Sequence, residues 1–281
     1  MFRVAAGWRA DSAPVRGRHV SGTPHMIATV GPRYRRPETS GVWALGPRQI
    51  DIWCAPVSAF ETGLDQMRGL LSDEERRNAS RFRFDDHRRV YIMAHAFVRM
   101  ILGGYTREEP SRLLFGRGPG TKPRLLSDPR LRFNSSHSAG LVLIAVSMER
   151  DVGIDVERVL PLADFEELAR RFFSAGECED LFTLDRAARL PGFFDCWTRK
   201  EAFVKATGDG LLKGLDHFRV AVRPGEPVTI LHIDGDERQR WSLLDLQPSP
   251  DYAAALAVRE RDFETRCWKL EEMTQLTSLL S

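Results

Sequence analysis

The chain has 281 residues, enough for two domains of ordinary size, and its 42% hydrophobic and 28% charged residues are typical of a soluble globular protein. The formal net charge of +2 predicts neither a nucleic-acid partner nor a membrane surface. No apolar run approaches the roughly 20 residues of a membrane helix. The four cysteines lack the close spacing of a zinc site or a disulfide framework. Composition therefore predicts a cytoplasmic protein with reduced thiols.

The first 45 residues are rich in Arg, Gly, Pro, Ser and Thr, and Asp11 and Glu38 are their only acids. Such a start is typical of a transit peptide. A flexible tail, or a reading frame that starts too early with Met26 as the alternative start, explains it as well. We predict a flexible tail at 1–45 with no role in the chemistry.

The N-terminal half is predicted over residues 46–150. Ser72 followed by Glu75 predicts a capping box at a helix start, and Gly103-Gly104 predicts the end of a longer helix. The predicted elements are a strand at 49–57, a helix from 73, a helix at 86–102, a loop at 116–123, and strands at 131–134 and 141–147.

The C-terminal half is predicted over residues 151–275. Ser174 and Glu177 form a second capping box, and Gly208 predicts the end of another long helix. The alternating segments near the end of the chain indicate an antiparallel sheet. The predicted elements are a strand at 152–159, two helices, a helix at 191–207, and strands at 218–222, 228–233, 241–246 and 252–258.

A weak internal repeat connects the halves. Residues 91–99 align with residues 197–205 at an offset of 106, and the tripeptide Ala-Phe-Val is identical in both. At this offset His95 takes the position of Glu201. The offset is about the size of one domain, so we predict two related α+β halves packed face to face.

Three segments carry residues suited to chemistry. Asp155 and Glu157 alternate on a strand and point to one face, where paired carboxylates favour a Mg²⁺ ion, although exposed strand ends often carry this pattern. Glu201 and Lys205 share one stripe of a helix, where a routine surface pair is the simpler interpretation. His137 lies among serines at a strand end, which is typical of an ordinary turn and, without a G-x-S-x-G motif, only weakly of a Ser–His dyad.

The order of these segments resembles the surfactin-type 4′-phosphopantetheinyl transferases over residues 49–258. The matching motifs are Lys-Pro at 122, Phe-Asn-x-Ser-His-Ser at 133, Gly-Ile-Asp-Val-Glu at 153 and Trp-x-x-Lys-Glu-Ala-x-x-Lys at 197. The resemblance implies an α+β fold of two similar halves, each a small antiparallel sheet with packed helices, related by a pseudo-twofold axis. It also implies a monomer with one active site at the seam.

The resemblance implies transfer of the phosphopantetheine arm of coenzyme A to a serine of an apo acyl, peptidyl or aryl carrier protein, with release of 3′,5′-ADP. Mg²⁺ is the implied cofactor, with Mn²⁺ as a substitute, and the motif set favours carriers of secondary metabolism. No nucleic acid and no membrane is expected as a partner.

The resemblance also implies roles for individual residues. Asp155, Glu157 and Glu201 would hold Mg²⁺, and Glu201 or a water of the metal shell would accept the serine proton. Lys205 and His137 would bind phosphate, supported by Lys200. The residues implied at the nucleotide end are Lys122, Pro123 and Ser136.

The early helix departs from the family pattern, because arginines stand where the family often has lysines for the adenosine phosphate. Arg76, Arg81, Arg88 and Arg89 are the candidates, and a solvated arginine face explains them equally well. Two rival functions stay open: a metal-dependent phosphohydrolase acting on coenzyme A or a nucleotide, and a non-catalytic module that binds coenzyme A or a carrier protein.

Overall fold

The computed structural model describes residues 32–37, 42–118, 122–208, 214–233 and 240–280, without the side chains of residues 60–62 and 273. Most of the predicted tail, residues 1–31 and 38–41, lies outside the described residues. None of the helices in the described part of the chain combines the length and apolar character of a membrane span.

The helices are α1 Leu64–Leu70, α2 Asp73–Ser80, α3 Asp85–Thr106, α4 Phe165–Phe172, α5 Ala175–Thr183, α6 Arg186–Thr207 and α7 Met273–Leu280, with 3₁₀ turns at Val57–Gly63 and Pro110–Arg112. The strands are β1 Tyr34–Arg35, β2 Gln49–Pro56, β3 Phe115–Arg117, β4 Pro123–Leu125, β5 Leu131–Ser138, β6 Leu141–Met148, β7 Val152–Arg158, β8 Phe218–Val220, β9 Ile230–Ile233, β10 Ser242–Leu246, β11 Tyr252–Val258 and β12 Glu264–Lys269.

The elements stack in four layers, with two sheets between two sets of helices, which confirms the predicted α+β class. The first sheet has the strand order β1-β12-β2-β6-β5, and the second has the order β10-β11-β7. Apolar residues such as Ile52, Leu143, Ile154 and Leu256 fill the space between the sheets. The helices α3 and α6 contribute to the cores on the outer faces of the first and second sheets.

The end of the chain returns to the first sheet, which the sequence does not predict. Strand β12 pairs in parallel with β2, and β1 pairs in parallel with β12, so the first sheet is mixed and not purely antiparallel. The guanidinium of Arg266 on β12 lies 2.7 Å from the buried carboxylate of Asp51 on β2. Residues 34–35 and 264–280 therefore pack with the first half, and the predicted boundaries at 46 and 275 stay a prediction.

Two local predictions need correction. Helix α3 continues through Gly103 and Gly104 to Thr106, because these glycines allow close packing rather than ending the helix. A Cβ on Gly104 would lie 2.6 Å from the ring of Trp43, and a Cβ on Gly103 would lie 2.9 Å from a backbone oxygen. In the predicted loop at 116–123, β3 and β4 form a hairpin. The predicted end of α6 at Gly208 is confirmed, because Gly208 has the left-handed φ of 76°.

The two halves repeat one order of elements. Each has a first strand, three helices and a later hairpin, so the sheet order β2-β6-β5 matches β7-β11-β10. The long helices α3 and α6 both have 22 residues and start 101 residues apart. Capping boxes begin α2 and α5, the second helix of each half. This repeat supports two related halves, while the pseudo-twofold axis stays a prediction.

The buried ion pairs set the register of this repeat. Glu75 of the first capping box accepts a hydrogen bond from Arg99, and Glu177 of the second accepts one from Lys200. Arg99 and Lys200 are 101 positions apart, whereas the predicted offset of 106 would pair Arg99 with Lys205. The predicted match of His95 with Glu201 is therefore wrong, and Met100 corresponds to Glu201.

Candidate active site

Polar residues collect where the edge strand of each sheet runs beside the other, β5 in the first sheet and β7 in the second. Asp155 and Glu157 lie on β7, as predicted. Glu201 and Lys205 come from α6, the helix that covers the second sheet. Asp155 and Glu201 are only 3% and 8% exposed. The structure therefore brings together the four charged residues that the sequence placed in two separate motifs.

Lys205 forms hydrogen bonds with other residues of this group. Its Nζ donates to Asp155 Oδ1 at 2.6 Å and lies 3.0 Å from the hydroxyl of Ser136, which contacts the same carboxylate oxygen at 2.8 Å. Burial alone lowers the pKa of Lys205, but the carboxylates of Asp155 and Glu201 outweigh it and raise the pKa above its ordinary value. A cation kept charged in this position can pair with phosphate oxygens.

Burial and neighbouring negative charge raise the pKa of the other two acids, Glu157 and Glu201. Burial, followed by the nearby Asp155, raises the pKa of Glu157 to about 7 and that of Glu201 to about 7. Ser138 Oγ donates to Glu157 Oε2 at 2.6 Å. Buried carboxylates that repel each other favour an added cation at the site.

Two oxygens show that the donor set fits such a cation. Asp155 Oδ2 and Glu201 Oε1 are buried and have no hydrogen-bond partner, which is costly for carboxylate oxygens. Hard oxygen ligands of this kind suit Mg²⁺. Among the described residues no three acids, histidines or cysteines form a ready metal-binding group. In this arrangement Asp155 is bonded to Lys205, and Glu157 to Ser138.

His137 is an exposed residue of β5 between Ser136 and Ser138, the two serines that contact the carboxylates. Desolvation by the surrounding protein, followed by the charges of His95 and Lys205, lowers the pKa of His137 to about 4. His95 stacks on Tyr91 with ring centroids 3.8 Å apart, and its Nδ1 lies 2.9 Å from the Tyr91 carbonyl oxygen. The sequence predicted His137 at the site but did not predict His95 as its neighbour.

Lys122 anchors the β3–β4 hairpin to the second half. Its Nζ donates to the carbonyl of Val152 at 2.7 Å and lies 3.4 Å from that of Ala206, next to Lys205. Burial lowers the pKa of Lys122 to about 8. Lys122 therefore contacts the two elements that carry the charged residues, β7 and α6, while Pro123 starts β4 and is exposed. The role of both residues at the nucleotide end stays a prediction.

Lys200 forms a buried ion pair with Glu177. Its ammonium is fully buried and lies 2.7 Å from both carboxylate oxygens of Glu177 and 2.8 Å from the carbonyl of Phe218. Its contacts among the described residues hold the fold together and favour a structural role, and its part in catalysis stays a prediction. The signal in the sequence was the capping-box glutamate at 177, which repeats Glu75 and its partner Arg99.

The early arginines are spread over α2 and α3 and differ in their partners. Arg76 pairs with Asp73 at 2.5 Å, and Arg88 with Asp85 at 2.8 Å. Arg81 reaches only Asn78, at 3.3 Å, and Arg89 is exposed. The choice among them for the adenosine phosphate stays a prediction, with Arg81 and Arg89 free of acidic partners among the described contacts.

Comparisons with known proteins assign the chain to a family. Residues 151–257, which include all four charged residues of the site, match the family model of the 4′-phosphopantetheinyl transferase superfamily. The chain is 37% identical over 223 residues to 4′-phosphopantetheinyl transferase HetI of Nostoc sp., covering 78% of this chain and 92% of the relative. The chain belongs to the 4′-phosphopantetheinyl transferase superfamily.

Two Bacillus members of this superfamily are also similar. The transferase psf-1 of Bacillus pumilus is 35% identical, covering 70% of this chain and 82% of the relative. The transferase Sfp of Bacillus subtilis is 28% identical, covering 74% of this chain and 90% of the relative. The family predicted from the four motifs is therefore confirmed.

Proposed function

We propose that this protein transfers the 4′-phosphopantetheine group of coenzyme A to a serine hydroxyl of an apo carrier protein. One observation supports this most directly in a chain of this superfamily. The unpaired buried oxygens of Asp155 and Glu201 lie beside the charged ammonium of Lys205. This combination suits a diphosphate bound together with a divalent cation.

The reaction forms one bond and breaks one. The serine oxygen of the carrier attacks the phosphorus nearest the pantetheine, and the bond from this phosphorus to the leaving 3′,5′-ADP breaks. Negative charge grows on the phosphate oxygens in the transition state, and Lys205 is placed to offset it. His137, kept neutral by its low pKa, can donate a hydrogen bond to a phosphate oxygen.

The serine proton must pass to a base. We assign this role to the Glu201 carboxylate, which lies on the same helix as Lys205 and can hold the cation through one oxygen and accept the proton on the other. Asp155, Glu157 and Glu201 would hold Mg²⁺, which when bound offsets the charge of the diphosphate. Lys122 and Ser136, on the neighbouring hairpin and strand, would contact the nucleotide end.

The same proposal includes the identity of the cation, the type of carrier protein and the oligomeric state. They are Mg²⁺ as the working cation with Mn²⁺ as its substitute, a carrier protein of secondary metabolism, and a monomer with one active site. The position of all four charged residues on one chain, at the seam of its own two halves, supports the monomer.

Intact-mass spectrometry tests the reaction. The protein is incubated with coenzyme A, Mg²⁺ and an apo carrier, and the carrier should gain the mass of phosphopantetheine, with EDTA abolishing the gain. Breakdown of coenzyme A without a modified carrier would instead show a phosphohydrolase. Binding of coenzyme A with neither product, on several carriers, would show a binding module.

A further inference from the structure

The two sheets meet at the site without main-chain pairing. Strands β5 and β7 run side by side, yet they belong to different sheets in the described structure. Alternate residues of β5 face β7, since side chains two apart on a strand share one face. Three of them, Asn134, Ser136 and Ser138, are polar and hydrogen-bond across the seam.

Each of the three makes a different kind of contact. Asn134 Oδ1 accepts from the backbone N–H of Ile154 at 2.8 Å and holds only the strand. Ser136 Oγ contacts Asp155 Oδ1 at 2.8 Å, but it shares that oxygen with Lys205. Ser138 differs from the other two because it contacts Glu157, a carboxylate that forms no ion pair among the described residues.

Ser138 fixes Glu157 through two hydrogen bonds that involve one hydroxyl. Its Oγ donates to Glu157 Oε2 at 2.6 Å and accepts from the backbone N–H of Arg158 at 3.2 Å. The backbone contact holds the hydroxyl in place, so the O–H is aimed at the carboxylate. Asp155 and Glu201 carry the same negative charge and repel the Glu157 carboxylate, which Ser138 holds in place.

We infer that Ser138 is a positioning residue that orients Glu157 toward a bound divalent cation. The inference rests on the proposed function for the identity of the cation, and it assigns the first half a part in a metal site whose carboxylates all come from the second half. Hydrogen-bond partners of metal ligands commonly change metal affinity by about 10- to 100-fold.

Mn²⁺ binding tests this without relying on catalysis. Mn²⁺ is titrated into the full chain with coenzyme A, and free Mn²⁺ is measured by electron paramagnetic resonance. We expect Ser138→Ala and Ser138→Val to bind Mn²⁺ about 10-fold more weakly. Ser138→Thr keeps the hydroxyl and should bind Mn²⁺ like the wild type. Ser138→Val has the same shape as Ser138→Thr but lacks the hydroxyl and should bind Mn²⁺ weakly.

Ser147→Ala is the matched control, because Ser147 is a buried serine that bonds only the carbonyl of Arg150, at 2.7 Å. It should lower the melting temperature as Ser138→Ala does but leave Mn²⁺ binding unchanged. Equal Mn²⁺ affinity in the Thr and Val variants would overturn the inference. If the wild type binds Mn²⁺ but modifies no carrier, the proposed function fails while the positioning role is still measured.

Discussion

Corresponding positions in the two halves hold opposite chemistry. In the register set by the buried ion pairs, Glu201 of the second half matches Met100 of the first, and Lys205 matches Gly104. On the first strand of each half, Trp53 of β2 is buried in the core against α3, whereas Asp155 of β7 bonds Lys205 of α6. The same architecture therefore carries a charged site in one half and an aromatic core in the other.

The distance between helix and sheet explains the difference. Helix α6 approaches β7 so closely that a Cβ on Gly153 would lie 2.0 Å from the Ala202 carbonyl oxygen. In the first half Trp43 fills the matching space, stacked on Trp53 with ring centroids 5.1 Å apart and in contact with Gly104. The first half is thus filled by an indole, and the second half has charged side chains that can meet a ligand.

The largest effect on the rate of carrier modification should come from removing the negative charge of Glu201, which has no counterpart at the matching position in the first half. Glu201→Gln keeps the shape of the side chain but removes the negative charge from the unpaired buried oxygen. We expect the rate of carrier modification to fall by roughly 10²- to 10³-fold, as for loss of a main electrostatic group. Intact-mass time courses of the carrier measure this.

Met100→Leu is the position-matched control in the first half and should change the rate little, since volume-conserving core swaps are well tolerated. A Glu201→Gln variant with wild-type rate and wild-type Mg²⁺ dependence would show that the site is elsewhere.

The next effect concerns a feature that both halves share. Lys200 and Glu177 are both fully buried, so Lys200→Met leaves an unpaired buried carboxylate. We expect the free energy of unfolding to fall by about 3–5 kcal/mol, measured by chemical denaturation. The double variant Lys200→Met with Glu177→Leu should recover much of the loss, because no charge is then left buried.

Arg99→Met sharpens the comparison, because its partner Glu75 is 16% exposed and less completely desolvated. Its cost should be smaller than that of Lys200→Met. If Lys200→Met were as stable as the wild type but inactive, the predicted part of Lys200 in catalysis would be supported.

The chemistry of the site could be predicted because it is local in sequence. Asp155 and Glu157 alternate on one strand, Glu201 and Lys205 are one helical turn apart, and such spacings fix a shared face without tertiary knowledge. The capping boxes at Ser72 and Ser174 were visible for the same reason.

The rest depends on contacts between distant segments. Nothing near Arg266 in the sequence indicates that it pairs with Asp51, 215 positions away, so β12 was missed. Gly103 and Gly104 have the composition of a helix stop, and only the packing of Trp43 and Pro110 shows why α3 needs them. The offset of the repeat also needed the buried pairs, because identical tripeptides in helices arise by chance.

Removing the Trp43 side chain, which fills the space between helix and sheet in the first half, should destabilise that half without creating a second active site. Trp43 stacks on Trp53, contacts Tyr105 and donates to the Leu279 carbonyl at 2.8 Å. Trp43→Ala leaves a cavity, and we expect a loss of about 3 kcal/mol in the free energy of unfolding. Thermal unfolding measures it, and coenzyme A affinity should stay unchanged below the melting transition. A parallel loss of coenzyme A affinity in the folded protein would mean that the halves are coupled more tightly than the separate cores indicate.

The smallest effect is a pH dependence at the link between the halves. Lys122 has a pKa of about 8 in the free protein because of burial, so it is charged below pH 8 and loses its proton above it. A bound phosphate favours the charged form and raises this pKa. We therefore expect that Lys122 causes no change in coenzyme A affinity with pH below pH 8. Above pH 8 the loss of its proton should lower the affinity, by at most about tenfold per pH unit.

Calorimetry in buffers of different ionisation enthalpy separates this effect from other titrations, since binding between pH 8 and 9 should then take up protons. Lys122→Met should bind more weakly at pH 7 and should lack both the proton uptake and the decline above pH 8. Arg124→Met is the matched control, because Arg124 neighbours Lys122 on the hairpin but pairs loosely with Asp151, at 3.8 Å. Proton uptake that survives in Lys122→Met would show that another group titrates on binding and would overturn the role of Lys122, since arginines stay charged at this pH.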